Sequence, residues 1–191
     1  MSKGRLEAFS DAVIAIAITV MVLELKVPHG ADWAALRPLV SAFLTYVLSF
    51  VFLGVYWNNH HHMLHAADRI NGKILWANLH LLFWLSLIPF VTGWMGGNQF
   101  APLPTAVYGG VLLLAALAYL ILQASIVAQQ GTDSKLAVAV GKDVKGKLSA
   151  ALYVVAIPLA FAHHWIAMGI YVLVTLMWLI PDRRIESKVS G

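Results

Sequence analysis

Asp11 is the first residue that asks for an explanation, because it stands about one turn inside a long apolar run, Ala8–Leu25. An ionisable side chain within a membrane helix is a functional candidate, since burying it unpaired costs several kcal/mol. Two accounts fit it. A carboxylate near a helix N-terminus is favoured by the macrodipole, with Ser10 as a local cap. Alternatively, polar partners at the same depth hold it. The second apolar run returns to that side at Trp57-Asn58-Asn59-His60-His61-His62, and the third leaves from it carrying Asn78 and His80. Arg5 can add a charge pair. In apolar surroundings such a network must be nearly complete; its expected role is to lock three helices together beside something functional. With three histidines in a row, the partner of Asp11 stays open among them.

The elements that position these groups are transmembrane helices. Of 191 residues, 60% are hydrophobic and only 12% charged, about half the charge of an average soluble domain. Six apolar runs recur end to end, at about residues 8–25, 36–57, 74–95, 106–127, 148–162 and 165–180, near the length that spans a bilayer. They predict one all-α membrane domain over 1–191. The last two runs are short and separated only by His163-His164, which fits a tight helical hairpin or one re-entrant segment. The first run reads as a retained helix, since it carries Asp11 and no small-residue cleavage site follows.

Basic residues set the orientation. With the N-terminus inside, Lys3, Arg5, Arg69, Lys73, Lys135, Lys142, Lys145, Lys147, Arg183, Arg184 and Lys188 fall on the cytoplasmic side, against Lys26 and Arg37 outside. Both termini are then cytoplasmic, in the plasma membrane. Trp57, Trp94, Trp165 and Trp178 lie near run ends, at headgroup level. The loop 129–147 is a basic connector beside anionic lipid, not a nucleic-acid-binding domain. With no Cys, disulfides and thiolate chemistry are excluded.

Along the first helix, Ala12, Ile16, Thr19, Val20 and Leu23 recur at spacings of three and four and share one face. Spacing alone fits an ordinary packing stripe equally well. Glu24 at its outer end either attracts cations or is a solvated terminal charge. Other functions leave weaker marks. A histidine-ligated membrane metalloenzyme has imidazoles in His60, His61, His62, His65 and His80, but His163 and His164 fall on the opposite side and no second box appears. An ion-coupled transporter calls for repeats, broken helices and several intramembrane charges. A voltage-gated potassium channel needs a filter loop between the fifth and sixth helices, where only His163-His164 stands.

The run Arg5-x-x-x-Phe9-Ser10-Asp11 on the first of six helices resembles the hallmark of the transmembrane protein 175 family, which are potassium channels. The resemblance spans nearly the whole chain, through this motif, the layout and the His-rich end of the second helix. It implies a homotetramer without a re-entrant filter loop, in which four copies of the first helix line a central pore, and a channel rather than an enzyme. It places Ile16 at an apolar constriction and continues the pore row through Thr19, Val20 and Leu23. It makes Arg5, Phe9, Ser10 and Asp11 a scaffold, with Trp57, Asn58, His60, His61, Asn78 and His80 as partners. A narrow apolar ring gates by dewetting, and selectivity then rests on pore width and the cost of stripping water. Potassium and other monovalent cations are the expected permeant ions; no cofactor or metal is expected.

Overall fold

The computed structural model describes residues 2–131, 133–141 and 143–179; Lys142, Ile180, Pro181, Arg183, Arg184, Lys188 and the Lys135 side chain lie outside the described residues. Every regular element among them is helical: α1 (Lys3–Leu23), α2 (Trp33–Leu36), a 3₁₀ turn (Arg37–Leu39), α3 (Val40–His65), α4 (Gly72–Ser86), α5 (Ile88–Gly97), α6 (Pro102–Gln130), α7 (Lys135–Val140) and α8 (Val144–Leu179). Local chemistry sets several starts. Asp32, Asn71 and Ser134 cap α2, α4 and α7 by accepting from Ala35, Ile74 and Ala137 N–H. Pro102 opens α6 and Pro89 opens α5, where a missing N–H costs no helical bond.

Two boundaries differ from the sequence expectation, and the hairpin expected at His163-His164 is present. The second apolar run was expected to end at Trp57, but α3 continues for two turns to His65. Polar residues mark where lipid ends, not where helical hydrogen bonding ends. The third run is one crossing broken at Leu87, because Pro89 cannot continue the ladder of α4. The last helix spans 36 residues, about 54 Å at 1.5 Å per residue, against about 30 Å of hydrocarbon. It is bent at His163, whose φ of −150° and ψ of 91° are not helical. Trp178 Nε1–H donates to Ser149 Oγ (2.8 Å), and the Tyr153 and Tyr171 rings lie 6.1 Å apart. On a straight helix those pairs would stand roughly 44 and 27 Å apart. The helix therefore folds back as two antiparallel arms, giving six apolar helical arms among the described residues.

Contacts at the two ends fix which termini lie together. Lys3 Nζ donates to His65 O (2.8 Å), Gln130 Nε2 to Ala66 O (3.3 Å) and Gln123 Nε2 to Asp143 Oδ2 (3.2 Å). The start of α1, the end of α3, the end of α6 and the start of α8 thus share one end of the bundle. At the other end Ser41 Oγ donates to Gly96 O (2.8 Å), and Phe100 packs on Trp165 at 5.3 Å. Between them, small residues and hydroxyls tie the arms, as they must where lipid removes the hydrophobic drive between helices. Thr92 donates to Ser49 (2.7 Å), whose Oγ lies 3.0 Å from the Tyr108 hydroxyl. At Gly96 an added Cβ would sit 2.7 Å from Ala42 Cα, so α3 and α5 touch through backbone.

Candidate pore helix and its scaffold

One row of α1, Leu6, Ser10, Ile14, Ala17 and Met21, is buried against the rest of the subunit. At 100° per residue, Thr19 lies about 180° from the middle of that row, Leu23 about 140°, Ile16 about 120° and Val20 about 80°. Exposure follows the angles: Leu23 is 81% exposed, Ile16 60% and Val20 38%. Ile16, Thr19 and Leu23 therefore share the face that the subunit leaves uncovered. Val20 borders it, and with Ile16 it lines a groove shared with Glu24, Phe90, Gly93 and Trp94. The Thr19 hydroxyl donates to Ile16 O (2.9 Å) and lies 3.1 Å from Ala15 O. Its single proton is spent on backbone, leaving its oxygen lone pairs as acceptors.

Behind this face runs a directed hydrogen-bond chain. Ser10 Oγ–H donates to Leu6 O (2.8 Å), Asn78 Nδ2–H donates to Ser10 Oγ (2.9 Å), and the ring of His60 meets Asn78 Oδ1 at 2.7 Å. An amide oxygen only accepts, so His60 carries its proton on Nε2 and donates. Ser10, Asn78 and His60 are all buried, and the chain joins α1, α4 and α3. Asp11 is held separately: Trp57 Nε1–H donates to Asp11 Oδ1 (3.0 Å). Adjacent residues of α1 thus anchor to two different helices.

Several expected partners stand elsewhere. No histidine holds Asp11; His60 belongs to the Ser10 branch. His61 is exposed and stacks on Trp57 (6.4 Å) and His65 (6.1 Å). Asn58 is exposed and makes no hydrogen bond among the described residues, and exposed Arg5 makes no ion pair with Asp11. Six residues apart on one helix, they point about 120° from each other. Phe9 is exposed beside the uncovered face. His80 faces away from α1 and accepts from Trp84 Nε1–H (2.9 Å). Trp84, one turn beyond His80, was the signal that the sequence reading passed over. Among the described residues no three His, Asp or Glu side chains are placed to hold a metal ion.

Comparison with known proteins bears on this arrangement. The model of the endosomal/lysosomal potassium channel TMEM175 family matches residues 5–89, which include both anchors of α1. A potassium channel of Chryseobacterium sp. (strain P1-3) is 53% identical over 100% of this chain and 99% of its own. A potassium channel of Chamaesiphon minutus is 31% identical over 87% of this chain and 88% of its own. The crystal structure of a lysosomal potassium-selective channel TMEM175 homolog from Chamaesiphon minutus superposes with a TM-score of 0.83 at 29% identity, covering 94% of this chain and 97% of that one. With its fold shared and a full-length relative more than half identical, this chain belongs to the TMEM175 family of potassium channels, a family of channels and not of enzymes.

Proposed function

We propose that the chain is a potassium-permeable channel in which four copies surround a central axis, with the uncovered face of α1 lining the pore. The observation that carries this reading is the division of α1. Its hydrogen-bonding side chains Ser10 and Asp11 turn to the neighbouring helices, while Ile16 and Leu23 stay mostly exposed, 60% and 81%, on the face away from the buried row. Four Ile16 side chains form the constriction and close it by expelling water; Leu23 and Val20 widen outward from it, and no carbonyl filter is involved. Thr19 presents a ring of hydroxyl oxygens that replaces part of the hydration shell of a passing potassium ion. Phe9, Ser10 and Asp11 serve as scaffold and not as permeation residues. The protein sits in the plasma membrane with the Lys3–His65 end, which gathers the basic residues Arg69, Lys73, Lys145 and Lys147, facing the cytoplasm.

The test is purified protein in liposomes carrying a potassium gradient. Potassium flux that relaxes the gradient without concentrative uptake is expected. Ile16→Asn, which wets the constriction, should raise conductance and blur the preference for potassium over sodium. Currents unchanged by that substitution would remove Ile16 from the pore and with it the assignment of this face.

A further inference from the structure

Released from the scaffold by its bond to Trp84, His80 lines an open groove between α4 and α6 together with Lys73, Trp76, Ala77, Ile121 and Ser125. We propose that this groove binds an anionic phospholipid of the cytoplasmic leaflet through its phosphodiester. The chemistry is one-sided. An indole N–H only donates, so His80 Nε2 is the acceptor in its bond to Trp84, and the neutral ring carries its proton on Nδ1. The Trp76 indole N–H and the Lys73 ammonium are donors as well, and both side chains are exposed and make no hydrogen bond among the described residues. The Ser125 proton goes to Ile121 O (2.7 Å). No carboxylate lines the groove among the described residues. Three outward donors without a carboxylate complement an oxyanion.

Depth points to a lipid as its source. Lys73 stands at the start of α4, at the end of the bundle where α1 begins and α3 ends. His80 lies seven residues further, about 10 Å along the helix. That interval spans headgroup to ester level, and below it exposed Phe83, Leu117 and Ile121 offer an apolar wall for an acyl chain. Lys and Trp at a cytoplasmic membrane interface are the residues that meet anionic headgroups. The site requires membrane insertion but not the pore assignment, so the two stand or fall separately.

Native mass spectrometry of protein released from mixed phosphatidylglycerol and phosphatidylcholine is the test. Wild type should retain phosphatidylglycerol preferentially. Lys73→Gln should cut that retention about fivefold, equivalent to about 1 kcal/mol for one interfacial basic residue. Trp84→Phe, which frees His80 without touching lipid, should weaken it less. Lys26→Gln, at the opposite end of the bundle, should leave it unchanged. Equal retention of the two lipids, or full retention in both Lys73→Gln and Trp76→Leu, would overturn the proposal. So would displacement of the lipid by inorganic phosphate, which marks a soluble-anion site, or a disulfide between copies of Trp76→Cys, which marks a subunit interface.

Discussion

Replacing Asn78 by Ala removes the middle link of the chain between α1, α4 and α3, and its cost can be worked from the contacts. Asn78 is wholly buried, and its amide makes two bonds, 2.9 Å to Ser10 and 2.7 Å to His60. Without it the His60 Nε2–H, itself buried, loses its acceptor, and an orphaned buried donor costs about 1–3 kcal/mol. Ser10 keeps its own bond to Leu6 O and loses only an incoming donor, nearer the average of about 0.6 kcal/mol for hydrogen bonds between membrane helices. The total is about 1.6–3.6 kcal/mol, a fall of about 15- to 450-fold in the ratio of folded to unfolded protein. Ser10→Ala should cost less, and the double variant should fall short of the sum, because either change already breaks the shared bond. Denaturant titration in mixed micelles, followed by tryptophan fluorescence, reads the stability. Reversal potentials of the surviving channels read the selectivity. Expected are a lowered midpoint and an unchanged potassium preference. An Asn78→Ala variant as stable as wild type would refute the role of this chain of residues as a support, and a stable one with altered selectivity would place it in the permeation path.

Asp11→Ala strips the Trp57 indole of its acceptor at a cost of about 1 kcal/mol or more; size-exclusion chromatography should show lost assembly, and a stable tetramer with only shifted selectivity would contradict the scaffold role. Gly96→Ala should destabilise by about 1–3 kcal/mol, because its methyl meets Ala42 backbone at 2.7 Å and cannot rotate away, whereas Gly97→Ala, with nothing within 4 Å, should be near neutral in the same thermal-shift assay. Ile16→Ala, a smaller change than the Asn variant, should raise single-channel conductance in bilayer recordings by partly opening the apolar ring.

The membrane layout was legible because composition and run length answer to lipid directly. Azimuth was not. Asn78 and His80 stand at nearly the same depth, yet two residues on a helix point about 160° apart; only one of them can face α1, and the sequence supplies depth alone. The same reasoning separates Arg5 from Asp11, and it selects His60 from three neighbours spaced by 100°. Choosing among those histidines requires knowing where Asn78 stands across the gap, which is tertiary information. The fold-back at His163 was legible for the opposite reason, since no single helix fits about 54 Å into a bilayer. The break before Pro89 was overlooked although proline announces it, because hydropathy reads through a residue whose effect lies in its missing N–H.

Two anchors on consecutive residues have a mechanical consequence for a gate made of side chains. A helix tied at one point can still turn about its own axis, and at a tip radius of about 5–6 Å a rotation of about 20° moves a side-chain end by roughly 2 Å. For a constriction built from one residue per subunit, that shift separates closed from leaking. Ser10 is tied to Asn78 on α4 and Asp11 to Trp57 on α3. The two directions differ by about 100° around the axis, so no rotation of α1 preserves both bonds. Ile16 follows Asp11 by five residues, about 7.5 Å along the same helix, close enough for the constraint to reach it undiminished. On the proposed pore face, the motif would therefore set the angle at which Ile16 stands, although neither of its anchoring hydrogen bonds lies on that face. That is why conservative changes at Ser10 or Asp11 are expected to act through stability and assembly before they act through selectivity.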